Sequence, residues 1–326
     1  MKDIVVFSGS AHKKLAEEIC SHLSIKLSDT KISRFSNDCL QAQLLKNVRQ
    51  RDVYLVQPLT PPTQEHLTEL LMMIDAARHA SASQITAVIP HYSYARSDKK
   101  DASRISIGAK LVANLLVTAG VSRVLTMQLH SPQVQAFFDV PVDQLTALGV
   151  LAEYFLQDDL NNSVVVSPDL GNAKNATQFS HLLGLPVAAG SKRRLNDNSV
   201  VIDNIVGDVE GKHAIVLDDE IATGGSILEL CRRLRDFGAL DAKVACTHGL
   251  FTGNAVARMR SEEFIKEVVT TDTVPAPLHW PELQVQSVAP LFAEAIERIH
   301  RGRSVSKMFK GVDPMFAPPE ELEGLF

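Results

Sequence analysis

Short apolar runs rich in β-branched residues recur along the chain, separated by segments whose apolar residues repeat every three or four positions. The runs Ile4 to Phe7, Val53 to Val56, Ile85 to Ile89, Val124 to Leu129, Val164 to Val166, Ile215 to Leu217, Val244 to Cys246 and Val268 to Thr271 read as buried strands. Between them, Leu67, Leu70, Leu71, Ile74 and Ala77 share one helical face over 65–77, and Ile227, Cys231 and Leu234 do so over 227–237. Such alternation implies an α/β fold of mainly parallel sheets with helices on both faces. The succession restarts near residue 148, and Phe138 to Asp143 is a candidate junction. The expected organisation is two α/β halves, 1–147 and 148–316. A tail follows at 317–326, carrying Pro318-Pro319 and three glutamates with little to bury.

A length of 326 residues agrees with two domains. The 33 Lys and Arg against 38 Asp and Glu leave a net charge of -5, so bulk charge draws the chain to neither nucleic acid nor an anionic membrane. Any anion site must be local. Cys20, Cys39, Cys231 and Cys246 form no C-x-x-C pair and read as free thiols in a reducing compartment, which points to the cytoplasm. The first apolar run is too short for a secretion signal, and no stretch approaches the about 18 apolar residues of a membrane span.

The sharpest chemical signal is the stretch from Ile215 to Ser226, an apolar strand ending in Asp218 and Asp219, then a turn of small residues, then a helix. Adjacent carboxylates at a strand end can accept hydrogen bonds from vicinal hydroxyls. Thr223, Gly224, Gly225 and Ser226 offer backbone N–H groups and hydroxyls at a positive helix N-terminus, which suits a phosphate. The combination reads as a sugar-phosphate site. The bland alternative is an acidic strand end with a Gly-Gly turn and a serine cap.

This block resembles the phosphoribosyl-diphosphate signature of the type I phosphoribosyltransferases. Further blocks narrow the match: Arg34-Phe35-Ser36, Ala87 to Pro90, Tyr94-Ala95-Arg96, Leu125 to His130, Phe137 to Asp143, Val165 to Asp169, Lys192-Arg193-Arg194 and Ser306 to Phe309. In that order they are similar to the ribose-phosphate diphosphokinases, or phosphoribosyl-pyrophosphate synthetases, over nearly the whole chain. The resemblance implies two phosphoribosyltransferase-like domains. It also implies transfer of the β,γ-diphosphoryl group of ATP to the anomeric hydroxyl of ribose 5-phosphate, with AMP as the second product and magnesium as cofactor.

Residue by residue, the resemblance assigns Lys192 and Arg194 to catalysis, with Arg194 also on ribose 5-phosphate. Phosphoryl transfer needs such cations to neutralise developing charge. It assigns Asp218, Asp219 and Ala222 to Ser226 to ribose 5-phosphate, and Asp169, Leu170 and Gly171 to a diphosphate loop. His130 and Asp169 match the magnesium positions, although imidazole is an unusual ligand for that hard cation. Phe35, Asn37, Asp38, Cys39, Arg96, Ser97, Asp98 and Lys99 match the ATP site, and polar segment 96–104 matches a flexible flag loop. Arg49, Ser81, Ser304 and Ser306 match a regulatory anion site in a homo-oligomer, in the family a hexamer built from dimers.

The chain departs from the pattern in places. Ala222 stands where the family has an acid, Asn37-Asp38-Cys39 replaces Asp-Gly-Glu, Gly171-Asn172-Ala173-Lys174 replaces a more glycine-rich loop, and Ser97 replaces Gln. Asn37 still presents both a donor and an acceptor to adenine. Two readings therefore stand beside an active synthetase. One is a weak or silent regulatory paralogue. The other is an ordinary phosphoribosyltransferase, which leaves the first 145 or so residues and Lys192 to Arg194 unexplained.

Overall fold

The computed structural model describes residues 3–196, 199–277 and 279–309, with side chains at 192–203 outside the description. The tail at 317–326 lies outside the described residues. Two compact units result among the described residues, one from 3–146, 273–275 and 288–305, the other from those within 147–272, 276–287 and 306–309.

The first unit runs β1 (Ile4–Ser8), α1 (Lys13–His22), β2 (Thr30–Arg34), β3 (Leu40–Leu44), β4 (Asp52–Val56), α2 (Thr63–His79), β5 (Gln84–Ile89), α3 (Gly108–Ala119), β6 (Arg123–Met127) and β7 (Val142–Leu145). Strands β1, β4, β5, β6 and β7 form one parallel sheet in that order, and β2 and β3 form a separate antiparallel hairpin. Alternate strand residues Val5, Phe7, Val53, Leu55, Ala87 and Ile89 pack with Leu70, Ile74, Val112 and Leu116 of α2 and α3. The second face buries Ile4, Val6, Tyr54 and Val88.

The second unit runs α4 (Leu148–Phe155), β8 (Ser163–Ser167), α5 (Ala173–Leu183), β9 (Val187–Asn196), β10 (Ser199–Val206), β11 (His213–Ile221), α6 (Gly225–Asp236), β12 (Asp241–Gly249), α7 (Ala255–Arg260), β13 (Ile265–Thr271) and β14 (Leu283–Gln286). Its sheet order is β10-β9-β8-β11-β12-β13-β14, parallel except where β9 meets β10. The two-residue period of a strand divides the apolar positions between two cores. Val164, Val166, Val216, Val244 and Val268 face α6 and α7, while Val165, Ile215, Leu217, Ala245 and Val269 face α4 and α5.

The last helix, α8 (Ala289–His300), returns to the first unit. Tyr54 OH donates to Ile296 O at 3.4 Å, His300 Nδ1 stands 2.7 Å from Asp52 Oδ2, and Phe292 and Ile296 are fully buried. This corrects the expected assignment of 148–316 to one domain. The candidate junction at 138–143 is corrected too, since Val142 pairs with Val124 and β7 completes the first sheet. No described helix is long and apolar enough to cross a membrane. All four cysteines are free, three of them buried and Cys39 exposed.

Candidate active site

In the second unit, β8 and β11 are neighbours, and the chain leaves β8 through α5 toward β9 but leaves β11 through α6 toward β12 on the opposite side. A parallel sheet opens a crevice at such a reversal, beyond the C-terminal strand ends. The two loops singled out by sequence flank that point.

The first follows β11. The expected strand end at Asp218 and Asp219 is corrected, because the ladder with β12 continues through Glu220 to Ile221, opposite Gly249. Asp219 N–H donates to Asp218 Oδ1 at 2.9 Å. Burial pushes the Asp218 carboxyl well above the ordinary carboxylate range, and the charges of Asp219 and Asp169 push the same way. The acids therefore form an electrostatic unit that a cation or hydroxyl donors would relieve.

Beyond Ile221 the chain is pinned from below, as Phe251 N–H donates to Ile221 O at 3.0 Å and Thr252 N–H to Ala222 O at 2.8 Å. Arg258 Nη1 donates to Thr223 O at 3.4 Å. Gly224 then takes φ 71 as the cap of α6, and a Cβ there would stand 3.2 Å from Met259 Sδ. A side chain would be strained in that left-handed conformation and crowded by the methionine. No side chain caps α6 and no acid occupies its first turn, while Thr223 and Ser226 are exposed. An uncapped helix N-terminus with hydroxyls beside it is suited to a phosphate.

The second loop follows β8. Ser167 Oγ donates to Asp169 O at 2.6 Å, and Asn172 N–H donates to Asp169 Oδ1 at 3.0 Å. Leu170 is 63% exposed at the loop tip, and Gly171 follows it. Asn172 Nδ2 donates to Leu217 O at 2.9 Å, joining this loop to β11. From sequence, Asn172 closes the stretch Asp169 to Asn172 that resembles the diphosphate loop and departs from its glycine-rich pattern, but nothing there assigns its side chain a partner. Lys192 and Arg194 lie on β9, opposite Ile202 and Val200 of β10, and their side chains fall outside the described residues.

In the first unit, Phe35, Asn37, Asp38 and Cys39 occupy the tip of the β2–β3 hairpin. Phe35 N–H donates to Cys39 O at 2.9 Å, and Phe35 is 52% exposed. Cys39 N–H donates to Asn37 Oδ1 at 3.3 Å, so the acceptor expected to serve adenine is already engaged within the turn. Arg34, on the same hairpin, pairs with Asp38 and with Glu65 of α2 at 2.6 Å, bracing the tip. Arg96 ends a 3₁₀ turn over Ser93–Arg96, so the irregular segment carrying Asp98 and Lys99 begins at Ser97. Ser97 Oγ accepts from Gly108 N–H at 3.0 Å and closes the base of that segment. His130 is exposed beyond the C-terminal end of β6. Arg49 Nη1 lies 3.4 Å from Ser81 Oγ, bringing those two candidates together. Ser304 O accepts from Arg298 Nη1 at 3.1 Å, and Ser306 opens a short 3₁₀ turn.

Residues 4–120 match the family described as the N-terminal domain of ribose phosphate pyrophosphokinase, and residues 201–310 match the phosphoribosyl synthetase-associated domain. A ribose-phosphate pyrophosphokinase of Caldanaerobacter subterraneus is 46% identical over 93% of this chain and 97% of its own. The chain belongs to the ribose-phosphate pyrophosphokinase family. One of Deinococcus radiodurans is 45% identical over 94% of this chain and 98% of its own. The crystal structure of the Mycobacterium smegmatis phosphoribosylpyrophosphate synthetase superposes with a TM-score of 0.85 at 37% identity, covering 92% of this chain and 99% of that one. Ribose-phosphate pyrophosphokinases are enzymes of nucleotide biosynthesis, and this chain is one of these kinase-type transferases.

A kinase-type family implies a metal cofactor. Among the described residues no three His, Cys, Asp or Glu side chains are grouped to hold a metal. The acids at the β8–β11 reversal suit a hard cation held by one or two carboxylates and completed by water and phosphate oxygens.

Proposed function

We propose that this chain transfers the β,γ-diphosphoryl group of ATP to the anomeric hydroxyl of ribose 5-phosphate, giving phosphoribosyl diphosphate and AMP. The supporting observation is the pairing of an acidic strand end, an uncapped helix N-terminus and a second acidic loop around one sheet reversal. The 5-phosphate sits on the Thr223 to Ser226 N–H groups, and Asp218 and Asp219 accept from the sugar hydroxyls. With the sugar so placed, its anomeric oxygen attacks the β-phosphorus as the hydroxyl proton passes to water, the bond to the α-phosphate bridging oxygen breaks, and AMP departs. Lys192 and Arg194 neutralise charge developing on the transferred group. Phe35 and Arg96 stack on adenine, and the Ser97 to Lys99 segment closes over the triphosphate.

His130 and Asp169 carry the family's metal-binding assignments, each at the C-terminal edge of its own sheet, and magnesium, when bound, offsets the diphosphoryl charge. A homo-oligomer, with Arg49, Ser81, Ser304 and Ser306 at an anion-binding regulatory site, and a cytoplasmic location complete the proposal. The decisive experiment is AMP release from ATP with magnesium, with and without ribose 5-phosphate. Release that depends on the sugar phosphate supports the proposal. Its absence in a chain that still binds ribose 5-phosphate favours the silent paralogue, the reading that Ala222 and Cys39 encourage.

A further inference from the structure

The register between β8 and β11 ends at Val166 and Val216, so Leu217 lies one residue beyond the last pair, where the two strands part. There the Asn172 amide donates to Leu217 O at 2.9 Å and takes over from the strand ladder. The same residue's backbone N–H donates to Asp169 Oδ1, and its Oδ1 accepts from Asn175 Nδ2 at 2.8 Å. One half-buried side chain thus ties the loop carrying Asp169 to the strand residue preceding Asp218, and Asn175 orients it. A backbone-only residue at 172 could keep the bond to Asp169 but not the tie to β11. The first unit reaches the same end by a different residue. Ala11 N–H, in the loop after β1, donates to the amide oxygen of Gln57, just beyond β4, at 3.1 Å.

We infer that Asn172 is a positioning residue that fixes the spacing between the diphosphate loop and the sugar-binding strand. The inference rests on the proposed reading of those two loops. Removing the amide frees the Asp169 loop from its anchor on β11 but leaves the β11–α6 turn held by Phe251, Thr252 and Arg258, which penalises a diphosphate gripped at the loosened loop more than a sugar phosphate gripped by β11 and α6 alone.

The test is calorimetric titration of the full chain with inorganic diphosphate plus magnesium and, separately, with ribose 5-phosphate. Asn172→Ala and Asn172→Gly are expected to weaken diphosphate binding about 5- to 10-fold, the scale of one lost hydrogen bond, with ribose 5-phosphate affinity within about 2-fold of native. Loss of folded protein would lower the binding stoichiometry of both ligands without changing either affinity. Asn175→Ala, which removes only the orienting bond, should give a smaller loss of the same kind and serves if the 172 variants fail to fold. Undiminished diphosphate affinity in the variants, or equal weakening of both ligands, overturns the inference alone. A native chain that binds neither ligand overturns the proposed reading and the inference with it.

Discussion

Asp218 is held where burial, then the charges of Asp219 and Asp169, oppose its ionisation. In the unfolded chain this carboxyl loses its proton near 3.8, whereas the folded one keeps it to higher pH. Native stability therefore falls as pH rises from that ordinary value through the raised one, and stays reduced above it. Asp218→Asn should raise the melting temperature at neutral pH, with the advantage fading on acidification, while ribose 5-phosphate binding weakens. Melting curves across that pH range check the first half, and titration with the sugar phosphate the second. Lys192→Ala should remove a cation acting chiefly in the transition state and lower kcat by about 10² to 10³. Steady-state kinetics with an unchanged kcat would contradict its assignment.

Between elements, the sharpest dependence is on the turn from β11 into α6. Gly224→Ala places a Cβ at φ 71, and that Cβ also meets Met259 Sδ at 3.2 Å. The left-handed conformation alone costs about 1 to 2 kcal/mol. The turn should shift, raising KM for ribose 5-phosphate several-fold more than KM for ATP in steady-state assays. This turn was readable in the sequence because its groups are contiguous and its strand is buried on both faces, which leaves an uninterrupted apolar run. The β2–β3 hairpin was not, since its residues are half-buried or exposed and carry no such run. Nor was the Asn172 tie, whose partner lies 45 residues away, because periodicity reports local faces and not which distant carbonyl a side chain will meet. The strand through Val124 was placed correctly but ends at Met127, and Gln128 turns the chain with φ 42.

Across the whole molecule, the first unit depends on residues from the far end of the chain. Phe292 and Ile296 of α8 are fully buried, each worth about 1.5 to 3 kcal/mol, against a typical domain stability of about 5 to 15 kcal/mol. A chain ending at residue 287 should therefore lose the first unit's cooperative melting and expose 1–146 to proteolysis, as differential scanning calorimetry and limited digestion would show. The sequence could not reveal this return, since α8 has an ordinary amphipathic pattern that does not name the sheet it covers. The two units nevertheless repeat one plan: strand, helix, antiparallel hairpin, strand, helix. In the first, the loop after β1 already holds an anion of the protein's own: Glu69 of α2 is buried and accepts from Ser10 N–H at 3.0 Å, from Ser10 Oγ and from Gln57 Nε2 at 2.8 Å. The counterpart loop after β8 offers its tip to solvent. One half of the enzyme is thus born with its guest in residence, while the other, on the proposed reading of its loop, recruits one at every turnover. Amide hydrogen exchange should register the difference, with Ser10 slow whether or not ligand is present, and Leu170 and Gly171 slowing only once diphosphate arrives.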